Sequence, residues 1–584
     1  MKRLLIFSLA LSAQDGAAIY KRHCATCHDA AAERVPPFAA LKEMSVAAIR
    51  ASLESGKMRE QAAALTAAER DQAAAYLGIA SRNQTPIAYC KDVPAIKPKT
   101  GWNGWSPDPA NTRMQPNPGW QTAAVPRLKL KWAFALGEGI VVRGQPSVID
   151  GRLYIGSQSG TVYALDAATG CAYWTFAAGA QIRSGVVVAG GLIYFGDAKA
   201  NVYALNVSTG NQLWKTRADD HARAMVTGTV QWDKEILYVP VASSEEAIGG
   251  QPSYQCCTFR GSLLALDAKT GKQLWKTYVI PEASKPTKKN SVGTQLHGPS
   301  GAGVWSTPTI DTKSNHIYIA TGDNYSDPPT KTSDAVIALD LKSGRTIWTK
   351  QLTANDVFIM GCGAANSPNC PETSGPDHDL GQPPILVDLA NGKRALVVGQ
   401  KSGVAHALDP DNEGAILWQT RVGIGGTLGG IQWGSAADAR NMYVAVSDLA
   451  FKDRSRDPSK GGGLFALQLA TGEKIWSASP SACPQNKPGC SPGHSAAVTA
   501  TPGAVFAGSL DGHIRAFSTA NGQILWDFDT AREFETTNGD KAKGGSIDGP
   551  GPVIANGMLF TNSGYGMWGG MPGNVLLAFS IDGK

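Results

Sequence analysis

The sequence predicts an all-β protein, an eight-bladed β-propeller, preceded by a small all-α domain. The chain of 584 residues has 66 glycines and only 17% charged residues, a composition that favours many tight turns over long helices. A phrase that ends in tryptophan recurs along most of the chain, and repeats of short strands are typical of propeller blades. Residues 14–80 instead show an Ala- and Leu-rich helical pattern.

Residues 1–13 are predicted to be a cleaved signal peptide that exports the protein to the periplasm. Met1-Lys2-Arg3 is followed by an apolar run from Leu4 to Leu11, which is the pattern of a secretory signal. No later run reaches the roughly 18 apolar residues that a membrane span needs, so no transmembrane segment is expected. The net charge of +6 contains no long basic run, which argues against a nucleic-acid partner.

Residues 14–80 are predicted to carry one covalent haem c. Cys24-Ala25-Thr26-Cys27-His28 is the haem-attachment motif, in which two thiols bind the porphyrin and the histidine ligates the iron. A methionine is expected as the second axial ligand, because thioether ligation suits electron transfer. Met58 is the preferred candidate over Met44. The segment resembles a small class I cytochrome c.

The other eight cysteines are expected to form disulfides, because an exported protein meets an oxidising compartment. Short sequence separation favours Cys362 with Cys370 and Cys483 with Cys490, which leaves Cys90 with Cys171 as a long-range pair. Cys256 and Cys257 either join each other or find other partners, and the sequence alone does not decide the connectivity.

Residues 81–126 are predicted to be a Pro-rich linker that leads into the propeller over residues 127–584. Ala164-Leu165-Asp166-Ala167-Ala168-Thr169-Gly170 ends at Trp174, and Ala265-Leu266-Asp267-Ala268-Lys269-Thr270-Gly271 ends at Trp275. The phrase recurs at 204–214, 338–348, 407–418, 466–476 and 516–526. An eighth copy is split between residues 578–583 and Trp132, so the two ends should share one blade. Each phrase is typical of a β-hairpin, and its tryptophan is expected to be a structural wedge.

The repeated phrase resembles the tryptophan-docking motif of the quinoprotein dehydrogenases, which bind pyrroloquinoline quinone (PQQ) on the axis of an eight-bladed propeller. A cytochrome placed before the propeller resembles the polyvinyl alcohol dehydrogenase branch of the quinohaemoprotein alcohol dehydrogenases. The resemblance is sharpest at residues 255–261, 321–325, 333–335 and 399–403. It implies hydride transfer from a secondary alcohol, which can be polymeric, to PQQ. Electrons then pass through the haem to an external soluble cytochrome c.

PQQ is a flat tricarboxylate, so its site needs cations, hydroxyls and an apolar plate. Arg143 and Arg183 each lie 21 positions before the alanine of a docking phrase, at 164 and 204, and should face the axis from equivalent strands; Thr227 lies in the corresponding stretch of the next blade. The resemblance implies that Trp305 stacks on the quinone and that Lys401 contacts the quinone oxygens and takes part in catalysis. It adds Trp433 as a second lining aromatic, and the adjacent Cys256 and Cys257 as a vicinal disulfide near the cofactor.

The resemblance also implies a calcium ion beside the quinone and an aspartate that removes the alcohol proton. The metal ligands are expected among Glu245, Glu246, Asp323 and Asn324. Asp334 is the expected general base, with Asp327 and Asp323 as alternatives. Two other functions remain open at this point, a PQQ-dependent sugar or aldehyde dehydrogenase and a non-catalytic scaffold of the outer-membrane assembly type.

Overall fold

The computed structural model describes residues 15–584 except 30–34, 43, 55–57, 79–86, 95, 97–100, 363–366, 373, 453–454, 480–481 and 485. The predicted signal peptide lies outside the described residues. Among the described helices, none is long and apolar enough to cross a membrane.

The N-terminal part is a small helical domain, as predicted. It is helical over residues 15–23 and then over Ala25–His28, Phe38–Leu41, Val46–Glu54 and Ala67–Leu77. The last helix begins at a capping box, in which Thr66 Oγ1 accepts from the Glu69 backbone N–H and the Glu69 carboxylate accepts from Thr66, an arrangement that satisfies two otherwise unpaired backbone donors. The core of the helical domain consists of apolar side chains such as Ile49, Leu53 and Leu77, beside the haem-attachment motif.

Described residues of the predicted linker and entry segment, residues 81–126, pack against the propeller. Trp102 is fully buried and exchanges backbone hydrogen bonds with Val148. The fully buried Arg113 donates from Nε to the Val498 carbonyl oxygen at 2.7 Å and from Nη2 to that of Pro552 at 3.2 Å. These contacts tie the segment to blades at both ends of the chain. A 3₁₀ helix over Thr122–Arg127 then leads into the first strand.

Eight antiparallel sheets follow, one for each predicted blade. From the innermost strand outward, blade 1 comprises Val553–Ala555, Met558–Ser563, Val575–Ile581 and Leu128–Ala135; blade 2 Ser147–Ile149, Arg152–Gly156, Thr161–Asp166 and Ala172–Ala177; blade 3 Val187–Ala189, Leu192–Gly196, Asn201–Asn206 and Gln212–Arg217; and blade 4 Gln231–Asp233, Ile236–Ser243, Ser262–Asp267 and Gln273–Tyr278, with Ala224–Met225 pairing the end of its second strand.

The second half of the ring has the same plan. Blade 5 comprises Thr309–Asp311, His316–Ala320, Ala335–Asp340 and Thr346–Gln351; blade 6 Ile385–Asp388, Arg394–Gly399, Val404–Asp409 and Ala415–Arg421; blade 7 Ala436–Ala437, Asn441–Ala445, Leu464–Gln468 and Lys474–Ala478; and blade 8 Thr499–Thr501, Ala504–Gly508, His513–Ser518 and Ile524–Asp529. Four short ribbons pair Lys285–Lys289 with Gln295–Gly298, Ser300–Gly301 with Asn324–Ser326, Phe451–Lys452 with Ser455–Arg456, and Glu533–Phe534 with Ala542–Lys543; a short helix spans Glu246–Gly249.

The repeated tryptophans join neighbouring blades, and the two chain ends close the ring in blade 1. The Trp132 indole N–H donates to the Ala167 carbonyl oxygen in blade 2 at 3.1 Å, and Trp526 in blade 8 donates to that of Leu128 at 3.0 Å. Trp132 pairs with Ala578 across the strands, so the split eighth repeat forms one blade as predicted. This pairing of a strand from the start of the chain with strands from its end closes the ring.

The described cysteines pair as the spacing and the resemblance predict. The four disulfides are Cys90–Cys171, Cys256–Cys257, Cys362–Cys370 and Cys483–Cys490. Cys24 and Cys27 of the haem-attachment motif form no disulfide, so both thiols are available to bind a porphyrin.

Candidate active site

A cavity of about 540 Å³ lies between the helical domain and the propeller axis. Cys24, Cys27 and His28 line one side of it, and Arg183 and Trp305 line the other. The haem-attachment motif and the predicted quinone site therefore share one cavity.

The haem side of the cavity holds its histidine in an orientation suited to iron. The His28 Nδ1–H donates to the Pro36 carbonyl oxygen at 2.7 Å, which leaves Nε2 for the metal, the usual arrangement of a ligating histidine. Burial lowers the pKa of His28 and favours the neutral imidazole that binds a metal. Met58 and Met44 both line the cavity, so the structure keeps both as candidates for the second axial ligand.

Arg143 and Arg183, predicted to face the axis, both line the cavity. Arg143 donates to the Tyr565 hydroxyl at 3.1 Å, while its Nε is buried without a hydrogen-bond partner. The Arg183 guanidinium lies 4.7 Å from the centre of the Trp433 ring. Burial, and then repulsion from Arg143, lower the pKa of Arg183 to about 9. Among the described residues no carboxylate lies within 4.0 Å of either guanidinium, so the pair can receive an anionic ligand.

The predicted aromatic residues meet at the same place. Trp305 and Trp433 lie edge to face, with ring centres 5.4 Å apart. The Trp433 indole donates to the Asp548 carboxylate, and the Thr227 hydroxyl donates to the Trp305 carbonyl oxygen at 3.3 Å. Because both rings and Thr227 line the cavity, the chain supplies flat apolar surface beside the two cations.

A buried cluster of aspartates surrounds Lys401. The lysine Nζ donates to Asp377 Oδ1 and to Asp379 Oδ2, each at 2.6 Å, and Asp379 Oδ1 accepts from the Asp323 backbone N–H at 2.8 Å. One carboxylate oxygen from each aspartate lies within 4.8 Å of the others. Three oxygen donors at this spacing suit a hard cation such as Ca²⁺.

The charges in the cluster are unevenly compensated. Burial raises the pKa of Asp379, but the attraction and hydrogen bond of Lys401 outweigh it and lower that pKa. Burial, and then repulsion from Asp379, raise the pKa of Asp323 well above its ordinary value, and its Oδ2 is buried without a hydrogen-bond partner. Asp323 therefore offers an unused buried oxygen that a bound cation would satisfy.

Two of the four predicted metal ligands are already engaged by the protein. The Glu245 carboxylate accepts from the backbone N–H groups of Thr258 at 3.0 Å and Phe259 at 2.8 Å. The Asn324 side chain bonds to Ser300 and Thr330 in neighbouring loops. Glu246 and Asp323 line the cavity. The structure thus brings Asp323 together with Asp377 and Asp379, and not with Glu245.

The structure places the predicted base, Asp334, behind the cavity. Asp334 is fully buried, does not line the cavity, and has both carboxylate oxygens without hydrogen-bond partners. Burial, and then repulsion from Asp356, raise its pKa well above the ordinary value, which favours a neutral acid. Asp327 accepts from the Glu372 backbone N–H in a loop away from the cavity. Asp323 and Asp379 are the aspartates that line it.

The vicinal disulfide also lies away from the cavity lining. Cys256 and Cys257 are 2% and 0% exposed and pack in an apolar cluster with Phe259 and Ile359. Neither cysteine lines the cavity. The disulfide packs in the core behind the loop that Glu245 holds, and its contact with a cofactor stays a prediction.

Asp377 and Asp379 are the functional candidates that the sequence analysis missed. Arg143, Arg183, Thr227 and Trp305 each lie four residues before an innermost strand, at Ser147, Val187, Gln231 and Thr309. The equivalent loop before the innermost strand of blade 6 contains both aspartates. Inspection of every such loop for charged residues would have found them.

Three family models match parts of the chain, and solved structures share its fold. Residues 240–421 match the family described as glucose/ethanol/alcohol dehydrogenase, beta-propeller domain, residues 91–299 match outer membrane protein assembly factor BamB, and residues 11–77 match cytochrome c oxidase, cbb3-type, subunit III. Quinohemoprotein alcohol dehydrogenase ADHIIG from Pseudomonas putida HK5 shares the fold, with a TM-score of 0.62 and 17% identity over 84% of this chain and 83% of that one. A europium-containing methanol dehydrogenase also has a TM-score of 0.62, with 18% identity over 82% of this chain and 98% of that one.

Two curated relatives extend over nearly the full length. A polyvinylalcohol dehydrogenase from a Pseudomonas species is 43% identical over 98% of this chain and 94% of its own. Another from Sphingopyxis sp. strain 113P3 is 41% identical over 98% of this chain and 93% of its own. Because this similarity covers the cytochrome domain and the propeller alike, the chain belongs to the polyvinylalcohol dehydrogenase family of PQQ-dependent quinohaemoprotein alcohol dehydrogenases.

Proposed function

We propose that the protein is a periplasmic dehydrogenase that oxidises secondary alcohols, including polyvinyl alcohol, and passes the electrons to an external soluble cytochrome c. Family membership implies PQQ and haem c as its cofactors. The observation that carries the proposal is the single cavity lined by both the haem-attachment motif and the quinone-site residues. When bound, PQQ accepts two electrons from an alcohol, the metal ion stabilises charge at the quinone oxygens, and haem c carries electrons one at a time.

The side chains on the axis can bind and orient the quinone. Arg143 and Arg183 place two cations beside the aromatic surface of Trp305 and Trp433, which matches the carboxylates and flat rings of PQQ. Thr227 lines the same surface. Lys401, whose Nζ lies 5.7 Å from the Trp305 ring centre, puts a positive charge at the edge of that surface, where it would stabilise an anion.

We place a Ca²⁺ ion among Asp323, Asp377 and Asp379. The partnerless Oδ2 of Asp323 and the spacing of the three carboxylates support this placement. Glu246 lines the cavity nearby and can complete the ligand set, because Ca²⁺ takes six to eight oxygen ligands.

We assign removal of the alcohol proton to the carboxylates held by Lys401. A general base must be ionised and must reach the substrate. Lys401 keeps the pKa of Asp379 low, and Asp379 lines the cavity, so Asp379 meets both conditions. Asp377 shares the same lysine but does not line the cavity. Asp377→Asn and Asp379→Asn would be measured separately. The residue that takes the proton is the one whose replacement lowers the rate of alcohol oxidation more.

A substrate panel tests the alcohol assignment. The holoenzyme would be assayed with secondary alcohols, primary alcohols, aldehydes and sugars, with soluble cytochrome c as the electron acceptor. We expect the highest kcat/KM for secondary alcohols, and a preference for a sugar or an aldehyde would contradict the proposal.

Determining the N-terminal sequence of the exported protein tests the predicted cleavage after about residue 13.

A further inference from the structure

A short segment of blade 4, residues 246–251, forms part of the cavity wall. It contains the helix Glu246–Gly249, and Glu246 and Gln251 both line the cavity. Burial, repulsion from Asp379 and then repulsion from Glu246 raise the pKa of Asp323, so the Glu246 carboxylate acts on the same place as the aspartate cluster. The position of this wall segment therefore decides whether Glu246 reaches an ion held by the cluster.

The back of the wall segment rests on the connection between blades 5 and 6. The Met360 backbone N–H donates to the Glu246 carbonyl oxygen at 3.2 Å. The Ser367 hydroxyl donates to the Gly250 carbonyl oxygen. The disulfide Cys362–Cys370 joins the two parts of the connection that make these contacts. The wall segment is thus held from behind by residues that are remote in the sequence.

Asn369 makes the largest contribution to this contact. It is 5% exposed, and its side-chain amide shares its N–H donors among the carbonyl oxygens of Gly249 at 2.8 Å, Gln251 at 2.6 Å and Tyr254 at 3.0 Å. Its Oδ1 accepts from the Asn290 side chain at 2.6 Å, which fixes the direction of the amide. The last carbonyl oxygens of a helix have no partners within the helix, and Asn369 supplies one for Gly249 in the buried interior.

The contact behind the wall segment is also closely packed. A Cβ at Gly249 would lie 3.0 Å from the Cys256 sulfur, and one at Gly250 would lie 2.2 Å from the Met360 carbonyl oxygen. Two glycines therefore let the wall segment lie directly on its support. Packed interiors transmit a displacement rather than absorb it, so a change at Asn369 should move the wall segment.

We propose that Asn369 is a positioning residue for the metal site, which holds the wall segment so that Glu246 reaches the ion bound by the aspartate cluster. Asn369 does not line the cavity, so it acts through Glu246 and not on the ion. The inference rests on the proposed function, because it concerns the metal placed there. It also assigns a role to the loop that Cys362–Cys370 closes.

Calcium binding to the haem-loaded, metal-depleted protein tests the inference by isothermal titration calorimetry. The variants are Asn369→Leu, which keeps a branched side chain but removes the donors, Glu246→Gln, and the two combined. Asn412→Leu is the matched control, because Asn412 is an exposed asparagine in a turn between two strands of blade 6. The free energy of unfolding of each variant in urea is measured alongside.

We expect Asn369→Leu to weaken calcium binding by at least about ten-fold, as when a residue that orients a metal ligand is removed, and the control to leave it unchanged. The double variant should bind calcium as weakly as Glu246→Gln alone, because residues that act through one another are not additive. Asn369→Ser keeps one hydroxyl donor and leaves space for water, so it replaces the leucine variant if that one does not fold, with a loss of at least about three-fold.

Three results would overturn the inference. If the asparagine variant is less stable but binds calcium as the wild type does, Asn369 has a structural role alone. If the losses in the double variant add up, Asn369 does not act through Glu246. If Glu246→Gln binds calcium at full strength, the ligand role of Glu246 in the proposed function fails, and the role of Asn369 fails with it.

Hydrogen exchange measured by mass spectrometry reports the position of the wall segment whatever the metal does. In Asn369→Leu or Asn369→Ser, exchange should become faster in residues 246–254 and stay unchanged in the strands of blades 1 and 8. Exchange that is unchanged in residues 246–254 would show that Asn369 does not hold the wall segment.

Discussion

Replacing Lys401 with methionine should leave two buried carboxylates without their cation. The Lys401 Nζ lies 2.6 Å from both Asp377 and Asp379, and its side chain is 6% exposed. Methionine keeps a similar length and apolar stem but removes the charge. Breaking a buried ion pair from one side typically costs about 3–5 kcal/mol, because the remaining charge loses its compensation. We expect the free energy of unfolding at neutral pH to fall by that amount.

The loss of stability caused by Lys401→Met should increase as the pH rises. In the native protein Lys401 holds the pKa of Asp379 low, so Asp379 adds stability above the ordinary aspartate pKa of about 3.9, and this stability is lost as the pH falls. Without the lysine, the effect of burial, which raises that pKa, is no longer outweighed by Lys401, so the variant loses stability as the pH rises. The difference between the two proteins should therefore widen from about pH 4.5 to about pH 7.5.

Urea unfolding followed by tryptophan fluorescence measures this difference. Lys393→Met is the matched control, because Lys393 is an exposed lysine directly before a strand of the same blade and should change stability by less than about 0.5 kcal/mol. We also expect the Lys401 variant to lose at least about 100-fold in alcohol-driven haem reduction, as when a charge-stabilising group is removed from an active site. A stability difference below about 1 kcal/mol that does not change with pH would show that Lys401 does not compensate the two buried carboxylates.

Three further predictions concern the ring, the haem and the metal. Gly271→Ala should lower the free energy of unfolding in urea more than Gly151→Ala. Both glycines have φ near +70°, but a Cβ at Gly271 would lie 2.7 Å from a docking indole, while Gly151 has open space around it. Equal losses of stability would contradict the docking role. Met58→Ala should abolish the charge-transfer absorbance of methionine-ligated ferric haem while Met44→Ala leaves it; the reverse would reassign the ligand. Asp323→Asn should weaken terbium(III) binding by at least about ten-fold, because it removes one charged oxygen ligand. Terbium luminescence, with calcium as competitor, measures the affinity. An unchanged affinity would place the metal elsewhere.

The propeller was predictable because each docking phrase encodes its own local structure. Glycine supplies the positive φ that the turn needs, and the tryptophan that follows packs on the glycine of the next blade. Seven near-identical copies and the split eighth copy therefore fix the blade count without knowledge of any long-range contact. The phase of the repeat also placed Arg143 and Arg183 on the axis.

The repeat does not predict which acidic residues form the cluster beside the cavity. Glu245 resembles a metal ligand in sequence, but its carboxylate accepts backbone N–H groups thirteen and fourteen residues later, a pairing that no local pattern shows. Asp377 and Asp379 lie in a loop outside the repeated phrase and become a cluster only when Lys401 and Asp323 fold against them. The buried Arg113 depends likewise on contacts with the far end of the chain.

The most direct test of the account is an anaerobic absorbance titration of the haem. The purified protein, reconstituted with PQQ and calcium, would receive increasing amounts of a secondary alcohol while the reduced haem band is recorded. We expect haem reduction that requires both the quinone and the alcohol. A haem that stays oxidised with every alcohol, or that is reduced equally without PQQ, would contradict it.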